Sequence, residues 1–124
     1  MIALDSSALI AYLEGGTGAA MEAVEVALAE RQACLPPVVL TELTSDPALP
    51  SDVASLLREL PLLAVEDGYW ERAGTLRSRL FAKGRKARLA DSLIAQSCLD
   101  HGVRLVTTDL DFRHFVRLGL KLLP

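Results

Sequence analysis

Residues 103–112 read VRLVTTDLDF, an apolar run that ends in two hydroxyl residues and two aspartates, Asp109 and Asp111, where the chain must turn into its next element. The first fourteen residues, MIALDSSALIAYLE, have the same layout: a short apolar run closed by Asp5, then apolar positions at helical spacing. Between them, strand-like and helix-like stretches alternate, which implies a parallel sheet with helices on both faces, the α/β class. In such sheets the ligand side is the edge beyond the carboxyl ends of the strands. If the two runs are parallel neighbours, Asp5 and Asp109 share that edge.

Working outward, MIAL is a strand and SALIAYL a helix with Ser6 or Ser7 as N-cap. AAMEAVEVALAER is a helix with Met21, Val24, Ala27 and Leu28 on one face. A brief strand at ACL precedes Pro36-Pro37, which opens a helix over VVLTELTS because proline is tolerated in a first turn. SDPALPSD is a loop or a helix–helix junction, DVASLLREL a short helix and LLAVE a strand. The spacing then predicts a helix from Tyr69 to Ala82, a break at Gly84, and a helix from Ala87 to His101 stopped by Gly102. VRLVTT is a strand, DFRHFVRL a helix closed by Gly119, and LKLL a last strand.

With 124 residues, 51% of them hydrophobic and only 5% aromatic, the chain suits one aliphatic core and a single domain over residues 1–124. Cys34 and Cys98 are far apart, with no CxxC and no histidine at zinc-site spacing, and read as buried hydrophobes. There is no basic leader and no apolar stretch of membrane-spanning length, so a cytoplasmic protein without a membrane partner is expected. The net charge of −3 argues against a general nucleic-acid coat. Yet Arg77, Arg79, Lys83, Arg85, Lys86 and Arg88 crowd into one short segment, either a solvated helix end or a local positive patch.

The acids are the unusual feature. At about 100° per residue, Ala87, Ala90, Ile94, Ala95, Cys98 and Leu99 form one apolar arc, with Ser92, Gln96 and Asp100 facing away and Asp91 inside the arc. A carboxylate aimed at a core is costly unless paired, hydrogen-bonded, metal-bound or at a cleft rim; as a first-turn residue Asp91 could also simply complement the helix N-terminus. Glu42 lies one turn after Val38 and Val39 on their side of its helix, or else is an ordinary exposed glutamate. Asp5, Glu42 and Asp109 have no lysine or arginine beside them in sequence. Carboxylates that converge without cations repel one another, and a hard divalent ion, Mg2+ or Mn2+, is the usual remedy. Such an ion can activate water against a phosphodiester. No glycine-rich phosphate loop or Ser/Cys nucleophile motif competes.

Taken together, LDSSALIAYLE, LTEL, ADSLIAQSCLDHG and LVTTDLDF, in this order, resemble the four blocks of the PIN domain family. Their spacing and the chain length are most similar to the toxin ribonucleases of VapBC toxin–antitoxin systems. The resemblance implies a PIN-like three-layer sandwich, a central, mainly parallel sheet flanked by helices. It implies an endoribonuclease dependent on Mg2+ or Mn2+, often a homodimer, held in check by a cognate antitoxin. By the same resemblance Asp5, Glu42, Asp91 and Asp109 form the catalytic acidic quartet. Asp5, Asp91 and Asp109 would be metal ligands with Asp111 as an accessory carboxylate, and Ser6 and Thr107 would support the site by hydrogen bonds. Arg85, Lys86 and Arg88 are then placed to grip RNA phosphates, since Arg88 lies about one turn before Asp91.

Three other readings have different signatures. A stand-alone PIN-type processing nuclease would lack an adjacent antitoxin frame. A receiver-like phosphoacceptor domain usually carries an acidic pair after the first strand and a lysine after a late one; here Asp5 is followed by serines and TTDLDF has no lysine. A non-catalytic PIN-like interaction domain is expected to have lost an acid, and all four are present.

Overall fold

A computed structural model describes all of residues 1–124. At its centre is β1 (Ile2–Leu4), flanked by β2 (Ala33–Cys34) on one side and β3 (Arg104–Val106) on the other, all parallel. The register pairs Ile2 with Ala33 and Arg104, Ala3 with Cys34 and Leu105, and Leu4 with Val106. Parallel neighbours need crossovers, and helices supply them: α1 (Ser6–Leu13) and α2 (Ala19–Ala29) between β1 and β2, then α3 (Pro37–Thr44), α4 (Ser51–Glu59), α5 (Tyr69–Ala82) and α6 (Leu89–His101) before β3. A 3-10 turn (Leu110–Phe112) and α7 (Arg113–Val116) follow. Ala3, Leu4, Ala33, Cys34, Leu105 and Val106 are all buried, as strands covered on both faces must be. The expected three-layer sandwich, a parallel sheet flanked by seven helices, is thus the fold. None of the helices is long and apolar enough to cross a membrane.

Several boundaries differ from the sequence reading. LLAVE and LKLL do not form strands; each contributes one parallel bridge, Leu62 to Leu35 and Leu122 to Leu105. Leu62 touches the outer edge of β2 only until the chain leaves it, and the carbonyl of Ala64 already bonds to His101 Nε2 at 2.8 Å. VRLVTT shortens to Arg104–Val106 because Thr107 and Thr108 turn toward Asp5 and Ser7. DFRHFVRL becomes a 3-10 turn plus one helical turn, anchored by the buried Phe112 and Phe115, whose rings lie 5.9 Å apart. The helix expected from Ala87 begins at Leu89, with Arg88 extended ahead of it.

The larger correction concerns α6. Ser92 and Gln96, expected to face away, are buried, because α6 is packed between α5 and α3 and has no solvent face along most of its length. Its polar groups are therefore satisfied inside the protein. Ser92 Oγ donates to the Arg88 carbonyl at 3.0 Å, Ser97 Oγ to the Tyr69 hydroxyl at 3.4 Å, and Gln96 Nε2 to Asp100 at 2.8 Å. Asp100 also takes a two-point bond from Arg72, at 3.0 and 2.6 Å, which holds its carboxyl below the usual carboxylate range. Gly102 ends α6 as expected, at φ 62°, and its successor's N–H reaches the Cys98 carbonyl at 3.1 Å. A side chain there would strain the left-handed turn, so Gly102→Ala should destabilise the protein by about 1 kcal/mol in urea unfolding.

Candidate metal centre

Because β1 and β3 are parallel neighbours, their carboxyl ends lie side by side, and the N–H of Asp5 bonds to the Val106 carbonyl at 3.3 Å. Asp5, rather than Ser6 or Ser7, caps α1: its Oδ1 accepts the N–H of Ala8 at 2.8 Å. An aspartate can cap a helix and still receive other donors, since its two oxygens offer about four lone pairs. Those are used. Ser7 Oγ donates to the carboxylate at 2.8–2.9 Å and Thr107 Oγ1 at 2.5 Å. Only 3% exposed, Asp5 has its pKa raised first by burial, then by the charge of Asp109, while the bonds from Thr107, Ala8 and Ser7 pull it down.

Thr107 passes this order on. Its hydroxyl accepts the N–H of Asp109 at 3.0 Å, and Asp109 Oδ1 in turn accepts the N–H of Asp111 at 2.9 Å, capping the 3-10 turn. Asp109 and Asp111 are thus brought to the same side, and Asp91 meets them from the first turn of α6. One ligand atom from each of Asp91, Asp109 and Asp111 lies within 4.8 Å of the others, and all three side chains are half-buried. The carboxyl of Asp91 is pushed up to about 6, first by burial and then by the charges of Asp109, Glu42 and Asp111, with Arg88 pulling the other way. Glu42 stands exposed at the rim, held by Ser6 Oγ, which donates to its Oε1 at 2.7 Å.

Of the residues expected to form the site, Asp91, Asp109 and Asp111 make one cluster. Asp5 lies behind it with its oxygens engaged, and Glu42 is near enough to act on the charge of Asp91. Ser6 serves Glu42, and Thr107 serves Asp5. The reading of the sequence missed Ser7, whose hydroxyl donates to Asp5, touches Thr107 at 3.3 Å and accepts the N–H of Thr108 at 3.1 Å. The signal was present in DSS, where a hydroxyl two residues after a capping aspartate can fold back onto it.

The positive segment divides. Arg77 turns inward, donating to the Ala87 carbonyl at 2.9 Å and lying 4.7 Å over the Phe81 ring, and so acts as a strut. Arg85, Lys86 and Arg88 remain exposed between α5 and α6, and of these Arg88 is the one whose charge acts on Asp91. Hard carboxylate oxygens from three converging side chains, with excess negative charge, fit a divalent cation of the Mg2+ or Mn2+ type.

The family model described as PIN domain matches residues 2–118. Among solved structures, the chain is similar to that of VapBC2 from Rickettsia felis bound to a DNA fragment from their promoter, with a TM-score of 0.73 and 21% identity over 98% of this chain and 97% of that one. It is also similar to FitAcB from Neisseria gonorrhoeae, at TM-score 0.71 and 17% identity over 100% and 97% of the two chains. A third, VapBC-5 from Mycobacterium tuberculosis, a member of the VapBC family of toxin-antitoxin systems, has TM-score 0.64 and 22% identity over 92% and 89%. No curated protein matches the chain by sequence. At these identities the structural likeness is one of fold.

Proposed function

The chain belongs to the PIN domain family, and from that membership we propose that it is an endoribonuclease dependent on Mg2+ or Mn2+, the toxin of a type II toxin–antitoxin pair. The observation that supports this best is the convergence of Asp91, Asp109 and Asp111 at the carboxyl edge of the sheet. These three would hold the ion. When bound, it supplies an activated water and offsets negative charge at the phosphodiester.

The remaining steps belong to side chains. Asp5 fixes Thr107, and Thr107 fixes the backbone of Asp109, so the ligand set is held before substrate arrives. Glu42, kept at the rim by Ser6, is the carboxylate free to accept a proton from the attacking water. Arg88, beside Asp91, meets the phosphate and lowers the repulsion between RNA and the acids. The toxin role, the cognate antitoxin partner and the homodimer extend this reading. They draw support from the match in length and fold to chains of VapBC and FitAcB assemblies.

Purified protein freed of any partner should cleave RNA in Mn2+ or Mg2+ and stop on chelation; undiminished cleavage in EDTA would reject the mechanism. Co-purification with the product of an adjacent short reading frame, with cleavage suppressed in the complex, would support the toxin role. A chain that cleaves with no such neighbour would be a stand-alone nuclease.

A further inference from the structure

Four cations and a histidine outside the acidic cluster surround a cavity of about 370 Å3 between the end of α5 and α7. Lys83 and Arg85 come from the turn after α5, and Arg113, His114 and Arg117 from α7 and its end, with Leu80 and Leu118 behind them. No carboxylate lines the cavity. None of the four cations lies within bonding distance of a carboxylate; the one arginine–carboxylate pair of the molecule is Arg72–Asp100. In a chain with 16 acidic residues and 13 basic ones, such a concentration of unpaired positive charge in a concavity focuses potential and favours an anion there.

The walls are fixed to each other. His114 Nδ1 lies 3.1 Å from the Lys86 carbonyl, which joins α7 to the segment between α5 and α6. The turn is closed by the N–H of Arg85 on the Leu80 carbonyl at 2.9 Å, with Gly84 at φ 68°. The cavity also adjoins the acids along the chain. Arg113 is two residues beyond Asp111, so at most about 7 Å of backbone separates them.

We propose that this cavity is a phosphodiester-binding subsite that seats the backbone of the RNA strand beside the acidic cluster. It rests on the nuclease reading and deepens it by adding α7 to the substrate surface. Three of its cations are arginines, whose planar forks pair with two phosphate oxygens at once. The two leucines behind them offer too little apolar surface for the aromatic or aliphatic anchors that a protein partner would insert.

The test is binding of a labelled single-stranded oligoribonucleotide to the full chain in EDTA, followed by anisotropy across a range of salt concentrations. Arg113→Gln combined with Arg117→Gln should weaken binding and reduce the slope of log K against log salt by about 1.4, two contacts at about 0.7 each for a single strand. Both positions are exposed, so the fold should survive, and the melting temperature checks this. Arg58→Gln, on the exposed side of α4, should leave slope and affinity unchanged. An unmoved slope in the double variant, an equal fall in Arg58→Gln, or no binding by the wild type at low salt would overturn the subsite. So would a double variant that loses binding of an oligo-glutamate peptide but keeps its RNA slope. Because cleavage plays no part in this measurement, intact cleavage with an unmoved slope rejects the subsite alone, and a reduced slope in a chain that never cleaves rejects only the nuclease reading.

Discussion

Asp109→Asn should leave a folded protein whose Mn2+-dependent RNA cleavage is reduced about a hundred- to a thousand-fold, the scale on which a misplaced or missing catalytic charge is felt. Asp109 occupies two networks at once. Its Oδ1 caps the 3-10 turn through the N–H of Asp111, and its carboxylate shares the cluster with Asp91 and Asp111. Asparagine retains an acceptor for the Asp111 N–H, so the turn persists while the negative charge is gone. The loss should therefore appear in kcat and in the metal concentration needed for half-maximal rate, with the melting temperature little changed. Ser7→Ala separates position from charge. It removes one donor to Asp5 and the acceptor for Thr108, and should slow cleavage by about ten- to a hundred-fold, as expected for a group that orients ligands from outside. Initial rates at fixed RNA over a Mn2+ titration measure both variants. Cleavage by Asp109→Asn at the wild-type rate would remove Asp109 from the proposed metal centre.

The strand-end aspartates were legible because their message is local: an apolar run, an acid and a helix signal are all visible within ten residues. The same holds for α5, whose bounds the apolar spacing and Gly84 marked well. What was not legible depended on partners distant in sequence. LLAVE and LKLL have strand composition, but whether a run forms one bridge or four is decided by how long it stays beside β2 or β3. Ser92 and Gln96 look like a solvent face when α6 is considered alone, and are buried because α5 and α3 close over it. Ser6 and Ser7 were interchangeable as cap candidates; the choice of Asp5 as cap is what sends Ser7 toward Thr107 and Ser6 toward Glu42. The positive segment before α6 was plain, yet its second wall, Arg113 and Arg117, comes from α7 and its end, beyond β3.

The remaining large effect is on stability. Asp91 has its carboxyl raised to about 6 in the folded, metal-free protein, against an ordinary value of 3.8. A carboxylate raised on folding favours the fold in its protonated form. Its contribution is fully present below about pH 4 and is lost as pH rises through about 6. A two-unit shift corresponds to nearly 3 kcal/mol at most; the side chain is half-buried rather than buried, and solvent screening reduces this to on the order of 2 kcal/mol. In EDTA, wild-type unfolding free energy should therefore fall between pH 4 and pH 7. Asp91→Asn should flatten most of that fall and be more stable than wild type at pH 7. Some slope will persist, because Asp5 is raised by burial in the same direction. Asp100 acts oppositely and at lower pH, since its depressed carboxyl stabilises the fold above its unfolded value and loses that effect only on acidification. Mn2+ should reverse the wild-type fall at pH 7, with stabilisation growing as the logarithm of its concentration above the dissociation constant, while Asp91→Asn responds weakly. Urea melts at several pH values, with and without Mn2+, supply the four comparisons. If Asp91→Asn instead unfolds more easily than wild type in EDTA at pH 7 and both respond equally to Mn2+, Asp91 is a helix-start residue complementing the amide dipoles of α6, and the acids at this edge do not share an ion through it.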